Sequence, residues 1–296
     1  MRRLLPLLVL LVACQSQERF HSSVLLGGKE VPAAVLNLGA RTYSQHCASC
    51  HGETGAGDGP KAAGLSPPPT DLRRGLYKFA SVDAGALPTD TDLQRTIRKG
   101  LEGTAMAGTA LSTDETIAVA QYIKTFSPRW GQEAVAPVPR ADPVYASAVN
   151  RQKIRSKAEW VELGDRVYHI EAKCWSCHPA YETKEHLYEW SGRTISTFRA
   201  DLYEAKPTMN AFSVRTLAPD FTRDTLKTGT SEEALFRVIS VGIGGSGMGP
   251  SRHTLEDEQM WALVAYVKSL TALKQSGGAA ELRSRLEAQM DWLPGR

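Results

Sequence analysis

Long apolar runs are absent from this sequence. The most apolar stretch, Leu4 to Ala13 behind Arg2 and Arg3, is too short to cross a bilayer and reads as a removable targeting segment. Charge of one sign is lacking as well, with 35 Lys and Arg against 32 Asp and Glu. That balance gives none of the field a nucleic-acid binder needs, and it points to no acidic or basic partner. Convincing strand alternation is missing, which leaves a mainly α reading. Cysteine is scarce, and its number, five, is odd. A disulfide framework would strand one of them.

The cysteines sort by position. Cys47-Ala48-Ser49-Cys50-His51 and Cys174-Trp175-Ser176-Cys177-His178 are two Cys-x-x-Cys-His strings, and Cys14 stands alone at the end of the apolar run. Cys-x-x-Cys-His is the sequence signature of c-type haem attachment. The short spacer lets both thiols bond one porphyrin edge, and the adjoining histidine is then held over the iron as its proximal ligand. The competing readings are a redox or zinc Cys-x-x-Cys beside an unrelated histidine, or one four-cysteine zinc site, for which the two pairs would have to converge.

The two halves repeat one another, each around one motif. Leu38-Gly39-Ala40-Arg41-Thr42-Tyr43 matches Leu163-Gly164-Asp165-Arg166-Val167-Tyr168. Gly and Tyr four apart share one helix face, and the glycine admits a close neighbour. Later, Arg95, Ile97, Gly100, Gly103, Thr104 and Met106 recur at one constant offset as Arg237, Ile239, Gly242, Gly245, Ser246 and Met248. Each half closes with an amphipathic helix, one from Asp114 to Phe126 and one from Asp257 to Leu270, with paired carboxylates where the helix dipole favours them. Ser112 or Thr113 is placed to cap the first of these.

A sixth iron ligand has to come from outside the motifs. Met106 and Met248 are the candidates, because they occupy one position of the repeat inside glycine-rich loops that can bend a thioether onto a porphyrin face. Met209 competes in the second half but has no repeat counterpart, and Met260 reads as core. His46, His169, His186 and His253 read as solvated surface histidines. The expected iron ligands are therefore His51 with Met106 and His178 with Met248. His/Met ligation raises the reduction potential. No residue is assigned a catalytic role.

With these motifs each half resembles a class I cytochrome c domain, and the whole is similar to a tandem di-haem cytochrome c. The resemblance implies an all-α fold, two covalently attached haem c groups, and a first and last helix that cross at Gly39 and Tyr43, or Gly164 and Tyr168, against Tyr122 or Tyr266. Pro179 departs from the glycine common after the motif, and Ala107 and Gly249 from the proline common after the methionine. Arg73, Arg74 and Lys78 read equally as propionate partners or as a solvated face. The second half has a longer span between motif and methionine, with Tyr188, Trp190, Phe198 and Tyr203, and packing is its favoured role. The expected boundaries are a signal peptide over 1–13, a tether over 14–31, domains over 32–127 and 157–271, a Pro-rich linker over 128–156, and a tail over 272–296.

Leu11-Val12-Ala13-Cys14 resembles the lipobox of bacterial lipoproteins. That resemblance implies a lipid on Cys14 and a place in the cell envelope facing the periplasm, with Gln15 leaning weakly towards the outer membrane. The functional expectation is an electron-transfer protein, not an enzyme, serving redox protein donors and acceptors. The alternatives are a di-haem redox enzyme of the peroxidase or thiosulfate dehydrogenase type, or a subunit of a larger respiratory complex. Mass spectrometry of the mature N-terminus is expected to find an acylated Cys14; a free, unmodified terminus refutes the anchor.

Overall fold

The computed structural model describes residues 18–195, 197–274 and 276–293. The targeting segment and Cys14 lie outside the described residues. The first half comprises a hairpin of β1 (Val24–Leu26) and β2 (Lys29–Val31), then helices α1 (Ala33–His46), α2 (Ala48–His51), α3 (Asp90–Lys99) and α4 (Thr113–Lys124). Three short helices follow: α5 (Arg129–Gln132), α6 (Pro143–Ala146) and α7 (Ala148–Ile154). The second half comprises α8 (Lys157–Arg166), α9 (Lys184–Trp190), a hairpin of β3 (Pro207–Met209) and β4 (Arg215–Leu217), α10 (Glu232–Val241), α11 (Asp257–Leu273) and α12 (Gly278–Glu287). None of the described helices is long and apolar enough to cross a membrane.

Each half is organised by the crossing of its first and last long helices, α1 on α4 and α8 on α11. A Cβ at Gly39 would press on the Ala118 carbonyl and stand 2.7 Å from Tyr122 Cβ. A Cβ at Gly164 would press on the Ala262 carbonyl and stand 2.7 Å from Tyr266 Cβ. The tyrosine one turn on packs against the same partner: Tyr43 and Tyr122 have ring centroids 5.5 Å apart, as do Tyr168 and Tyr266. Leu36, Leu93, Ile97, Val119 and Ile123 fill the first core, and Val167, Leu235, Ile239, Leu263 and Val267 the second. The helix starts are set by side chains. Ser112 caps α4 in a capping box with Glu115, and Ser156 caps α8 with Glu159 in the same way.

Four segments differ from the sequence reading. Within the expected tether, Gly27 and Gly28 both have positive φ, 63° and 82°, and join β1 to β2 in a two-residue turn. The strands are too short to show alternation, yet they bury Leu26 and Val31 beside Trp130. The expected linker folds into α5, α6 and α7, with Asp142 and Ser147 as caps and Pro143 at the first helical position, where its missing N–H costs nothing. The expected tail, whose residues from Ala279 to Trp292 have helical propensity but no assigned role, forms α12 and packs Leu286 against Leu187, Leu202 and Tyr203 of the second half's longer span.

The fourth difference is His169, which is not a surface residue: it is 0% exposed. After α8 the helix widens into a π turn over Val167–Glu171, and the extra residue brings position 169 inside beside Tyr168. Its Nδ1 faces the Asp165 carboxylate at 2.7 Å, and its Nε2 accepts the Tyr181 backbone N–H at 3.1 Å. His46 and His253 are exposed, and His186 lies half-buried against Trp190, their rings 3.9 Å apart.

The crossing glycines supply a test. Gly164→Ala is expected to destabilise the protein by at least about 1–3 kcal/mol, because the neighbouring carbonyl belongs to a helix backbone and cannot yield cheaply. Gly249→Ala, where a Cβ would meet nothing within 4 Å, is expected to be near neutral. Thermal unfolding of both variants checks this.

Candidate haem-binding sites

In the first half α1 runs directly into the motif, so Cys47 and His51 sit at the foot of the helix crossing. One cleft is lined by Cys47, His51 and Met106 together, with apolar walls from Leu72, Leu93, Ile97, Leu101, Val119 and Ile123 and with Lys78 among its polar residues. In the second half Cys174, Trp175 and Met248 pack against a single core cluster, and the His178 ring stacks on Phe221, a member of that cluster, at 4.8 Å. No three His, Cys, Asp or Glu side chains converge among the described residues, so the cysteine pairs do not form one zinc site. Burial pushes the Cys47 thiol up to about 11 and the Cys174 thiol up to about 12, so both are protonated thiols at neutral pH.

Both histidines are oriented in one way. The Nδ1 of His51 faces the Thr70 carbonyl at 3.3 Å, and that of His178 faces the Pro219 carbonyl at 2.9 Å. A carbonyl can only accept, so Nδ1 carries the proton and Nε2 keeps its lone pair. Neither Nε2 has a protein partner among the described residues. Burial lowers the basicity of both rings, which keeps them neutral and able to ligate a metal. The accepting carbonyls belong to a repeat that the sequence reading missed: Thr70-Asp71-Leu72 and Pro219-Asp220-Phe221, an apolar side chain two residues after the carbonyl.

Tyr43 and Tyr168 each add a second bond besides their helix contact. Tyr43 Oη donates to the Gly52 carbonyl at 2.7 Å, and Tyr168 Oη to the Pro179 carbonyl at 2.8 Å. These carbonyls belong to the residue after each motif histidine. Proline keeps its carbonyl, so Pro179 serves in place of glycine without loss of this bond.

The methionine loops match bond for bond. Leu101 N–H donates to the Met106 carbonyl at 2.8 Å, and Ile243 N–H to the Met248 carbonyl at 2.9 Å. The Thr104 and Ser246 hydroxyls donate to the Leu101 and Ile243 carbonyls, both at 2.8 Å, and accept the Met106 and Met248 N–H groups, both at 3.1 Å. Gly100 and Gly242 end their helices at φ 69° and 76°, a conformation that suits glycine. Met209 is 62% exposed on the β3–β4 hairpin, whose turn touches the second of these loops through the Ala211 N–H bond to the Gly245 carbonyl at 2.8 Å.

Charge around the clefts is mostly basic. Arg95 pairs with the buried Asp92, which also accepts from Ser81 and Thr89; burial pushes this carboxyl up, but the bonds outweigh it and hold it below the usual range. Its repeat counterpart Arg237 makes no ion pair among the described residues, and burial and the neighbouring Arg95 charge pull it below the ordinary arginine range. An arginine in that state suits an acidic group such as a haem propionate. Thiols, neutral imidazoles, thioethers and an apolar slot therefore fit a covalently held haem. Exposed Arg73 pairs with half-buried Asp71, whereas Arg74 reaches the Ala211 carbonyl in the other half at 2.7 Å.

Residues 34–123 match the family described as cytochrome C oxidase, cbb3-type, subunit III, and residues 161–271 match the family cytochrome c. The chain thus carries two cytochrome c domains in tandem, which implies covalently bound haem c. Among solved structures it is similar to a chain of the Kuenenia stuttgartiensis reducing HAO-like protein complex, with a TM-score of 0.65 and 27% identity over 79% of this chain and 95% of that one. No curated protein matches the sequence.

Tyr168→Phe leaves the Pro179 carbonyl without its donor in a buried site, which costs about 1–3 kcal/mol. Chemical denaturation of the haem-loaded protein is expected to show this loss, and Tyr43→Phe the same loss in the first domain.

Proposed function

We propose that this chain is a di-haem electron-transfer protein, with one haem c on Cys47, Cys50 and His51 and a second on Cys174, Cys177 and His178. Met106 and Met248 would supply the second protein ligand to each iron. The observation that carries this reading is the bond-for-bond identity of the two methionine loops, each beside its own motif. A loop shaped by its own backbone presents its thioether without rearrangement. Haem c supplies a one-electron iron couple, and His/Met ligation favours a high potential. Protein residues do the rest: the Thr70 and Pro219 carbonyls orient the imidazoles, the apolar walls exclude water, and Arg237 with Lys78 balances acidic groups. A haem held by His51 with Met106, or by His178 with Met248, would leave no open site for a substrate, which favours transfer over a peroxidase or thiosulfate dehydrogenase activity.

The partners are redox protein donors and acceptors. Similarity to a chain of a multi-subunit HAO-like complex supports a second setting with the same chemistry, as the cytochrome subunit of a larger oxidoreductase assembly. A lipid on Cys14, on the envelope membrane facing the periplasm, completes the proposal and rests on the lipobox resemblance.

Met106→Ala and Met248→Ala are each expected to remove the far-red methionine-to-ferric-iron absorption of one haem and to lower its potential. The ferrous wild-type protein is expected to bind carbon monoxide slowly and incompletely. Prompt stoichiometric binding, or an unchanged spectrum in both variants, refutes the reading.

A further inference from the structure

The two domains meet through the loops that carry the methionines. Glu102 and Gly244 hold one position of those loops, each two residues past the helix-ending glycine. Glu102 donates its backbone N–H to the Lys227 carbonyl of the second domain at 2.9 Å, and Gly244 donates its own to the Lys78 carbonyl of the first, also at 2.9 Å. Each domain therefore satisfies the same amide in the other's loop. Gly244 is needed for this approach, since a Cβ there would strike the Tyr77 carbonyl.

The pinning is unequal. The second loop is held at both of its ends by the first domain. Before it, Ala84 N–H donates to the Val241 carbonyl at 2.8 Å. After it, in the tight turn Ser251–His253, Arg252 gives Asp83 two hydrogen bonds of 2.6 Å, from Nε and Nη2, and His253 Nε2 lies 3.0 Å from the same carboxylate. Hydrogen bonds from Arg252 hold Asp83 below the usual carboxylate range, so it is ionised at neutral pH. A planar, two-bonded arginine–carboxylate pair fixes direction as well as distance. Nothing of this kind flanks Met106 among the described residues.

We propose that Asp83, in the first domain, is a positioning residue for the second haem: by gripping Arg252 and His253 it fixes the chain leaving Met248 and keeps that thioether in place. The inference rests on the His178/Met248 ligation proposed above. It makes a statement about sign that bare electrostatics does not. As a simple charge, Asp83 stabilises the ferric state, so its removal would raise the potential, and removal of the Arg252 charge would lower it. As members of one positioning pair, both residues on removal weaken methionine ligation, and weaker methionine ligation lowers the potential. The pair is half-exposed, with side chains 31% and 32% accessible, so its loss costs little global stability and the variants are expected to fold.

The test uses the full-length, haem-loaded protein with Asp83→Ala, Arg252→Ala and the double variant. Spectroelectrochemical titration resolves the two haems, and the far-red band reports methionine on ferric iron. The expected result is a lower potential for the second haem in both single variants, with partial loss of its far-red absorption, and a double variant no worse than either. The first haem keeps its band. If Asp83→Ala raises the potential while Arg252→Ala lowers it, the residues act as charges and the inference is overturned; an unchanged second haem in both variants overturns it equally. Met248→Leu, run in parallel, separates the two readings. If it leaves the far-red band whole, the ligation reading has failed and this inference falls with it.

Discussion

Everything in each domain depends on how closely two helices can cross. Where Gly39 meets Ala118 and Gly164 meets Ala262, backbone rests on backbone, and no side chain other than hydrogen fits. That contact sets the place of Tyr43 and Tyr168, whose hydroxyls then catch the carbonyl just beyond each histidine. The chain from crossing to motif is thus tied at both ends. A shift in the crossing would be passed on to the imidazole that the motif carries.

The clefts show division of labour between covalent and non-covalent constraints. In the proposed sites the motif would fix where a porphyrin edge attaches, whereas the carbonyls of Thr70 and Pro219 take the Nδ1 protons and leave Nε2 free to ligate a metal. The methionine loops are stiffened by the same hydroxyl and amide bonds in both domains. These three devices come from separate stretches of sequence, and their agreement in both domains makes a consistent site.

Much of this was legible in the residues because it is local and duplicated. The Gly–Tyr spacing, the Cys-x-x-Cys-His strings and the Gly-x-x-Gly-(Thr/Ser)-x-Met loops each occupy a few consecutive turns, and repetition separates them from chance. What escaped was tertiary or too short for periodicity to register. The β1–β2 hairpin has three residues per strand and reads as loop. His169 lies in a π turn, where a 3.6-residue period points the wrong way. The meeting of Arg95 with Arg237, and of Asp83 with Arg252, joins residues far apart in the chain, and neither pattern nor propensity encodes it.

The helix α12 has a consequence for the order in which the molecule forms. The first domain's crossing is complete once α4 exists, and among the described residues its hydrophobic core reaches no further along the chain than Val135. The second domain's outer cluster of Leu187, Leu202 and Tyr203 is closed by Leu286 of α12, with Leu282 packed beside it. A polypeptide that emerges amino end first therefore finishes one domain while the other still waits for its last turns. The second domain becomes whole only when α12 is free, and it then docks on a partner already folded.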